Sequence, residues 1–138
     1  FAAAGERERA LSVQRAAQVN DAFNTLKTPV SRARYLLSLH GIDTDDEHNT
    51  AMDPAFLMEQ MELREALDEA RGAADPLGAV GAVMDRITAL EKAEREALAG
   101  QFAAGDDQAL AAAAESTRKL QFLLRIQEEA EALEAALD

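Results

Sequence analysis

The sequence predicts an all-α protein, and three observations support this fold class. Hydrophobic residues make up 48% of the chain but aromatic residues only 4%, so Ala and Leu, which are strong helix formers, must supply much of the core. Apolar side chains recur at the i, i+3, i+4, i+7 spacing that marks one face of a helix. The chain has only three prolines, and each stands where a helix can begin.

Two helices are predicted in the first 41 residues. Apolar residues such as Val19 and Leu26 follow helical spacing, which indicates a helix over residues 6–27. A proline at position 29 ends it, because the residue before a proline is pushed out of the helical region. A shorter helix over residues 29–39 follows, with Gly41 placed to end it in a left-handed cap.

The next segment, residues 42–53, has no periodicity and is rich in Asp, Asn and Thr, which predicts a linker. Its acidic run does not fit a calcium loop. An EF-hand beginning at Asp43 would need Gly at the sixth position and Glu at the twelfth, where the chain has His48 and Pro54. His40 and His48 are too far apart to form a helical ligand pair. No metal and no cofactor are therefore expected.

Residues 54–138 are predicted to form an antiparallel three-helix bundle. Two Asp-Pro pairs and one Gly-Asp turn divide this part into three helical segments, and helices joined by short turns pack as antiparallel neighbours. The first two helices are expected to be a separate element, so the predicted divisions are 1–41, 42–53 and 54–138. The bundle helices are predicted over residues 54–71, over 77–100 and from the turn at 105–106 to Leu133 or a little beyond.

The first bundle helix carries more large apolar residues than its inward face requires. At roughly 100° per residue, the inward stripe consists of Phe56, Leu63, Leu67 and Ala70. Met58 and Met61 point the opposite way with Leu57 at their flank, beside the carboxylates of Glu62, Glu65 and Glu69. The helix could be buried nearly all round, or these could be scattered exposed hydrophobic residues. They could also form a binding patch, for which flexible methionine side chains are well suited.

The second and third bundle helices have predicted stripes as well. Gly78 and Gly81 in the second indicate close approach of a neighbouring helix. Phe122 in the third points away from the stripe of its own helix, so it is either in the core, if the helix axis drifts, or part of the same patch. The adjacent Arg118–Lys119 pair is expected to be solvated. The stripes are Leu77, Val80, Met84, Ile87, Glu91 and Leu98 in the second helix, and Leu110, Ala113, Thr117, Leu120 and Leu124 in the third.

Charge and composition exclude several classes of function. Fourteen Lys and Arg against 26 Asp and Glu give a net charge of −12, whereas nucleic acids and anionic membranes attract clustered positive charge. The chain has no cysteine, so it has no thiolate nucleophile and no cysteine ligands for zinc or iron–sulfur clusters. Its serines lack a convincing His and Asp arrangement, and no Gly-rich phosphate loop occurs. Without a membrane span or signal peptide, a soluble intracellular protein that is not an enzyme is expected.

Three runs of residues are similar to one known family. They are AFLMEQMELREALDE at 55–69, RARYLLSLHG at 32–41 and RKLQFL at 118–123. In this order and spacing they resemble the HscB family, the J-domain co-chaperones of iron–sulfur cluster assembly. The resemblance covers nearly the whole chain, and the run at 55–69 is the most specific part of it.

The resemblance implies a co-chaperone with two partners in the cytoplasm. Its three-helix domain would bind an iron–sulfur scaffold protein of the IscU type, and its J domain would stimulate the ATPase of HscA, a DnaK-type chaperone. The His-Pro-Asp motif that stimulation requires is absent from these 138 residues. By resemblance it would lie just before Phe1, with residues 6–27 as the third helix of a J domain. The family's scaffold-contacting residues match Leu57, Met58, Met61, Glu62, Glu65, Glu69 and Phe122.

Two other readings remain open at this point. A structural helical bundle or coiled-coil module would meet its partners along the Ala- and Glu-rich final helix rather than at Met58 and Phe122. A small all-helical enzyme is a third reading, although the chain offers no catalytic arrangement to support it.

Overall fold

The protein is all-α, as predicted. The computed structural model describes residues 5–13, 28–44 and 53–138, and these contain no strand. Residues 5–13 are helical, whereas the remainder of the predicted first helix, 14–27, and most of the predicted linker, 45–52, lie outside the described residues. The four further helices are α1 (Pro29–Ser38), α2 (Pro54–Ala70), α3 (Pro76–Ala104) and α4 (Asp107–Leu137).

Each of these helices begins at a capping side chain. Asp53, Asp75 and Asp106 each accept a hydrogen bond from a backbone N–H two or three residues further on, at 3.1, 3.1 and 2.7 Å. Thr28 caps α1 in the same way, at 3.1 Å. Such caps satisfy N–H groups that have no partner within the helix, and each stabilises its helix by about 1 kcal/mol. The predicted Asp-Pro and Gly-Asp helix starts are confirmed.

Glycines in α3 behave differently from expectation. The helix continues through Gly100, the predicted end, because one internal glycine costs only about 1 kcal/mol. It ends at Gly105, whose φ of +69° is the left-handed conformation that glycine adopts freely. The expected close approach of a neighbouring helix at Gly78 and Gly81 is wrong. The group next to Gly78 is the carboxylate of its own cap, Asp75, and a side chain at Gly81 would meet nothing within 4 Å.

Helices α2, α3 and α4 share one hydrophobic core. The inward stripe predicted for α2 is confirmed, since all four of its residues are buried. Ile87 of α3 lies in this core with Ile126 of α4, whereas Leu98 packs with Leu110 further along, so α3 and α4 run antiparallel. The buried members of this first core are Phe56, Leu63, Leu67, Val83, Ile87, Phe122, Leu123, Ile126 and Ala130.

A second core joins α1 to the other end of the bundle. Ala33 and Leu37 of α1 are buried there against α3 and the first half of α4. Helix α1 is thus in contact with the bundle rather than separate from it, while the division of the chain at residues 42–53 stays a prediction. The buried members of the second core are Ala33, Leu37, Leu98, Leu110, Ala113, Ala114 and Leu120.

The buried face of α4 changes direction along the helix. Its first half is buried through Leu110 to Leu120, against α1 and α3, and its second half through Phe122 to Ala130, against α2 and α3. Leu120 and Phe122 are two residues apart and therefore about 200° apart around the axis. The prediction that Leu124 continues the first stripe is wrong, because this residue is 37% exposed.

The predicted stripe of α3 contains one buried carboxylate. Glu91 is only 5% exposed, and burial raises its pKa above the ordinary value. Arg95, 4.0 Å away, lowers this pKa and the nearby Glu131 raises it further. The side-chain amide of Gln127 donates to Glu91 Oε2 at 3.0 Å when its nitrogen is turned toward that carboxylate. Leu77, at the start of the same stripe, is instead 42% exposed.

Candidate binding surface on helix α2

The outward side of α2 carries three exposed apolar side chains. Leu57 is 44% exposed, Met58 64% and Met61 71%, although each could contribute about 1.5–3 kcal/mol if buried. Two of the readings offered by the sequence can be separated here, because the helix is not buried all round. We call the surface formed by these three residues and three neighbouring carboxylates the α2 face. Its members are Leu57, Met58, Met61, Glu62, Glu65 and Glu69.

The apolar residues of the α2 face are exposed because other residues already occupy the side of the helix that faces the core. Phe56 and Leu63 are 5% and 0% exposed. Relative to Phe56, Met61 lies about 140° and Met58 about 200° around the helix axis, at 100° per residue. No rotation of α2 could bury the methionines without exposing the phenylalanine. The α2 face is therefore a consequence of the sequence pattern, not of loose packing.

The three carboxylates of the α2 face are all exposed, but they have different surroundings. Glu62 pairs with Arg86 of α3, whose Nη2 lies 3.0 Å from Glu62 Oε2. The same guanidinium lies 3.8 Å from Oε1 of Glu59. Among the residues that the structure describes, Glu65 and Glu69 make no ion pair. Two free carboxylates thus remain beside the methionines.

Phe122 does not belong to this exposed surface. It is 4% exposed, and its ring meets that of Phe56 edge-on, with centroids 5.6 Å apart. The guanidinium carbon of Arg64 lies 5.5 Å from the Phe122 centroid, and the Arg64 Nη1 is 3.1 Å from a carboxylate oxygen of Glu129. The alternative that Phe122 is part of one contiguous exposed patch with the two methionines of the α2 face is wrong. Of the two alternatives for Phe122, the structure shows the core position, because the second half of α4 turns this residue toward α2.

The basic pair next to Phe122 is partly buried rather than solvated. Lys119 Nζ lies 3.6 Å from Asp53 Oδ2 and 5.6 Å from the ring centroid of Phe56. The side chain of Lys119 is only 21% exposed, so the ammonium is partly desolvated and the contact is stronger than a fully exposed pair. Lys119 therefore connects α4 to the cap of α2 and helps to fix the orientation of the α2 face.

The sequence does not reveal the partners of three cations around this surface, namely Arg64, Lys119 and Arg86. Lys119 lies within the RKLQFL run and Arg64 within the run at 55–69, but neither showed which residue it would pair with. Arg86 is 24 residues from Glu62, and no local pattern links the two. Such pairs form only when separate helices pack.

Neither a metal site nor a membrane span is evident in the described parts of the chain. Within residues 5–13, 28–44 and 53–138, no three His, Cys, Asp or Glu side chains are grouped so that they could hold a metal ion. Over the same ranges, no helix is both long and apolar enough to cross a bilayer.

Comparison with known proteins places the chain in a family. The family model described as the HSCB C-terminal oligomerisation domain matches residues 52–131, which contain the whole α2 face. The co-chaperone protein HscB homolog of Vibrio cholerae (classical strain O395) is 47% identical over 137 residues, which are 99% of this chain and 78% of that protein. The chain belongs to the HscB family.

Other HscB relatives agree in sequence and in structure. The homolog of Photobacterium profundum is 48% identical over 134 residues, covering 97% of this chain and 77% of that protein. The solved structure of the chaperone HscB from Vibrio cholerae matches with a TM-score of 0.82 at 44% identity, over 96% of this chain and 76% of that one. Both the resemblance and the helical architecture predicted from the sequence are confirmed. HscB membership supports a co-chaperone role in iron–sulfur cluster assembly.

Proposed function

We propose that this protein uses its α2 face to bind an IscU-type iron–sulfur scaffold protein and delivers it to HscA, a DnaK-type chaperone. When the J domain is complete, it would stimulate the ATPase of that chaperone. The protein would act in the cytoplasm and without catalytic activity of its own. One observation carries the proposal. Leu57, Met58 and Met61 are exposed together on a helix whose inward stripe is already complete.

The apolar centre of the α2 face should provide most of the binding energy. Exposed apolar groups that adjoin one another on a soluble protein mark interaction sites more often than chance. Methionine adapts its shape to a partner because it is unbranched and polarisable. At protein interfaces a few central residues dominate, and truncating one of them typically costs about 1–3 kcal/mol. Met58 and Met61, the two most exposed residues of the three, are the strongest candidates.

The carboxylates should act on the rate of association rather than on the strength of the final complex. Charges at the rim of an interface attract a partner of opposite sign from a distance, and salt weakens this attraction. Glu65 and Glu69 are exposed and free of ion pairs with the described residues, so they can act on a basic surface of the scaffold protein. The partner surface is accordingly expected to combine apolar and basic residues.

Phe122 is buried in the unbound protein, so it would affect scaffold binding by positioning α2 and not by direct contact with the partner. Its edge-on contact with Phe56 and the cover provided by Arg64 hold α2 against α4. We therefore propose Phe122 as a positioning residue for the α2 face. Its loss should weaken binding and stability together.

The α2 face and helix α1 lie toward different ends of the bundle. Helix α1, which follows the proposed J-domain segment, packs against the first half of α4, and α2 packs against the second half. The scaffold protein on the α2 face would therefore lie away from α1.

The test is equilibrium binding of a purified IscU-type scaffold protein to the parent chain, to Met58→Ala and to Met61→Ala. Each substitution should weaken binding by about 5- to 150-fold, which corresponds to about 1–3 kcal/mol. Leu77→Ala is the matched control, since Leu77 is also exposed but lies outside the α2 face. Methionine variants that bind as tightly as the parent would refute the proposed surface. A parent chain that does not bind the scaffold protein would leave a structural helical-bundle module as the better interpretation.

A further inference from the structure

Arg86 of α3 contacts the acidic part of the α2 face. Its guanidinium lies 3.0 Å from a carboxylate oxygen of Glu62 and 3.8 Å from one of Glu59. All three side chains are partly exposed, with Arg86 at 44%, so this contact is open to an approaching partner.

Among the ion pairs of the described residues, Glu62 is the carboxylate of the α2 face that pairs with α3, and its position on α2 is consistent with this. Measured around the helix from the inward residue Phe56, Glu65 lies at about 180°, Glu69 at about 220° and Glu62 at about 240°, and Glu69 is also about 10 Å further along the axis than Glu62. Glu59, which shares the same guanidinium, lies further round still, at about 300°. The acidic rim is thus divided. At its α3 edge, Glu59 and Glu62 share one positive charge within the molecule, whereas no such ion pair with the described residues is seen at its centre.

We infer that Arg86 is a specificity-determining residue of the α2 face, which makes Glu62 a poor site for a cation of the partner and leaves that role to Glu65 and Glu69. The inference rests on the proposed function. A partner ammonium or guanidinium that approaches Glu62 also approaches the positive charge of Arg86, and like charges brought together at an interface disfavour that arrangement. The pairing therefore directs the basic groups of the scaffold protein toward the centre of the α2 face.

The test compares association rates for the scaffold protein at low salt, in stopped-flow measurements with the full chain. In the parent background, Glu65→Gln should slow association by about two- to five-fold, whereas Glu62→Gln should change the association rate by less than about 1.5-fold. In the Arg86→Gln background, Glu62 is unpaired. There Glu62→Gln should slow association about as much as Glu65→Gln does, and Arg86→Gln alone should accelerate association.

Lys92→Gln is the matched control for Arg86→Gln. It removes the same unit of positive charge from an exposed position on the same helix, but Lys92 makes no ion pair with the described part of α2. Its effect reports the change in net charge alone, so Arg86→Gln should accelerate association more than Lys92→Gln does.

Two outcomes would overturn the inference, and they are distinguishable. If the parent chain binds the scaffold protein and Met58→Ala weakens it, but Glu62→Gln has the same effect with and without Arg86, only the role of Arg86 is refuted. If the parent chain does not bind the scaffold protein at all, the proposed function fails and this inference fails with it. A dependence of the Glu62 effect on Arg86 that disappears at high salt supports the inference, because salt screens exposed charges.

Discussion

Replacing Phe122 by alanine should destabilise the protein strongly, although this residue was expected from the sequence to be either core or surface. The ring is 4% exposed, lies in the first core and meets Phe56 edge-on. Its removal would leave a cavity between α2 and α4 and would also remove the aromatic surface beneath the guanidinium of Arg64.

The expected magnitude follows from the burial of the ring. Truncating a buried phenylalanine to alanine costs about 3–5 kcal/mol, because the lost transfer energy adds to the cost of the cavity. A chain of 138 residues loses about 3–4 °C of melting temperature per kcal/mol, so Phe122→Ala should melt about 10–17 °C below the parent. Phe122→Leu keeps most of the apolar volume and loses the edge-on ring contact, which is worth about 0.5–1.5 kcal/mol. The decrease in melting temperature of Phe122→Leu should therefore be smaller than that of Phe122→Ala.

The assay is unfolding followed by circular dichroism at 222 nm, by heat and by urea. Leu77→Ala is the control. Because Leu77 is exposed, the free energy of unfolding of this variant should lie within about 0.5 kcal/mol of that of the parent. If Phe122→Ala unfolds as close to the parent as this control does, Phe122 is not in the core and the packing of α2 on α4 described above is incorrect. Scaffold binding should be measured well below the lowered melting temperature, so that a binding defect reflects the position of α2 and not unfolded protein.

Three further predictions follow from the same structure. Leu67→Ala should cost about 2–5 kcal/mol of unfolding free energy and Met58→Ala little, so equal destabilisation in denaturant melts would mean that the α2 face is buried. Asp53→Ala should cost about 1–2 kcal/mol, because the cap of α2 and the contact with Lys119 are lost together, and Asp53→Asn should recover most of the capping part. Glu91→Gln should stabilise the protein at neutral pH. Because burial raises the pKa of Glu91 in the folded protein, its charged form destabilises the fold at a pH above that pKa. The stability gained by Glu91→Gln should therefore shrink as the pH falls from the raised pKa toward the ordinary pKa of a glutamate. A gain in stability that does not depend on pH would contradict this.

The parts of the fold that the sequence predicted correctly are those that depend on near neighbours. Asp53, Asp75 and Asp106 cap helices because each side chain reaches a backbone N–H only two or three residues away. The two sides of α2 were predictable for a similar reason, since one helix that packs on one side of its axis keeps a constant inward stripe.

The parts that were not predictable depend on which helix lies opposite. The position of Phe122 was left open and that of Leu124 was predicted wrongly, because α4 changes neighbours near Leu120. A stripe extrapolated from the first half of α4 points in the wrong direction in its second half. The ion pair between Glu62 and Arg86 joins two helices across 24 residues, and no spacing rule within one helix anticipates it. The exposed residues of the candidate site could be predicted from the pattern of α2, whereas its supporting contacts became evident only from the packed structure.

The continuous helix α4 sets both the distance between its two buried faces and the rotation of one relative to the other about the helix axis. Leu110 at the α1 end and Phe122 at the α2 end are twelve residues apart, which at 1.5 Å per residue is about 18 Å. One residue inserted between them would turn one end about 100° relative to the other and misalign one of the two cores. Seven residues, close to two full turns, would lengthen the molecule by about 10 Å while nearly restoring its phase. Variation in the length of this helix among co-chaperones of this architecture should therefore occur in multiples of whole turns, since only those keep both ends correctly directed.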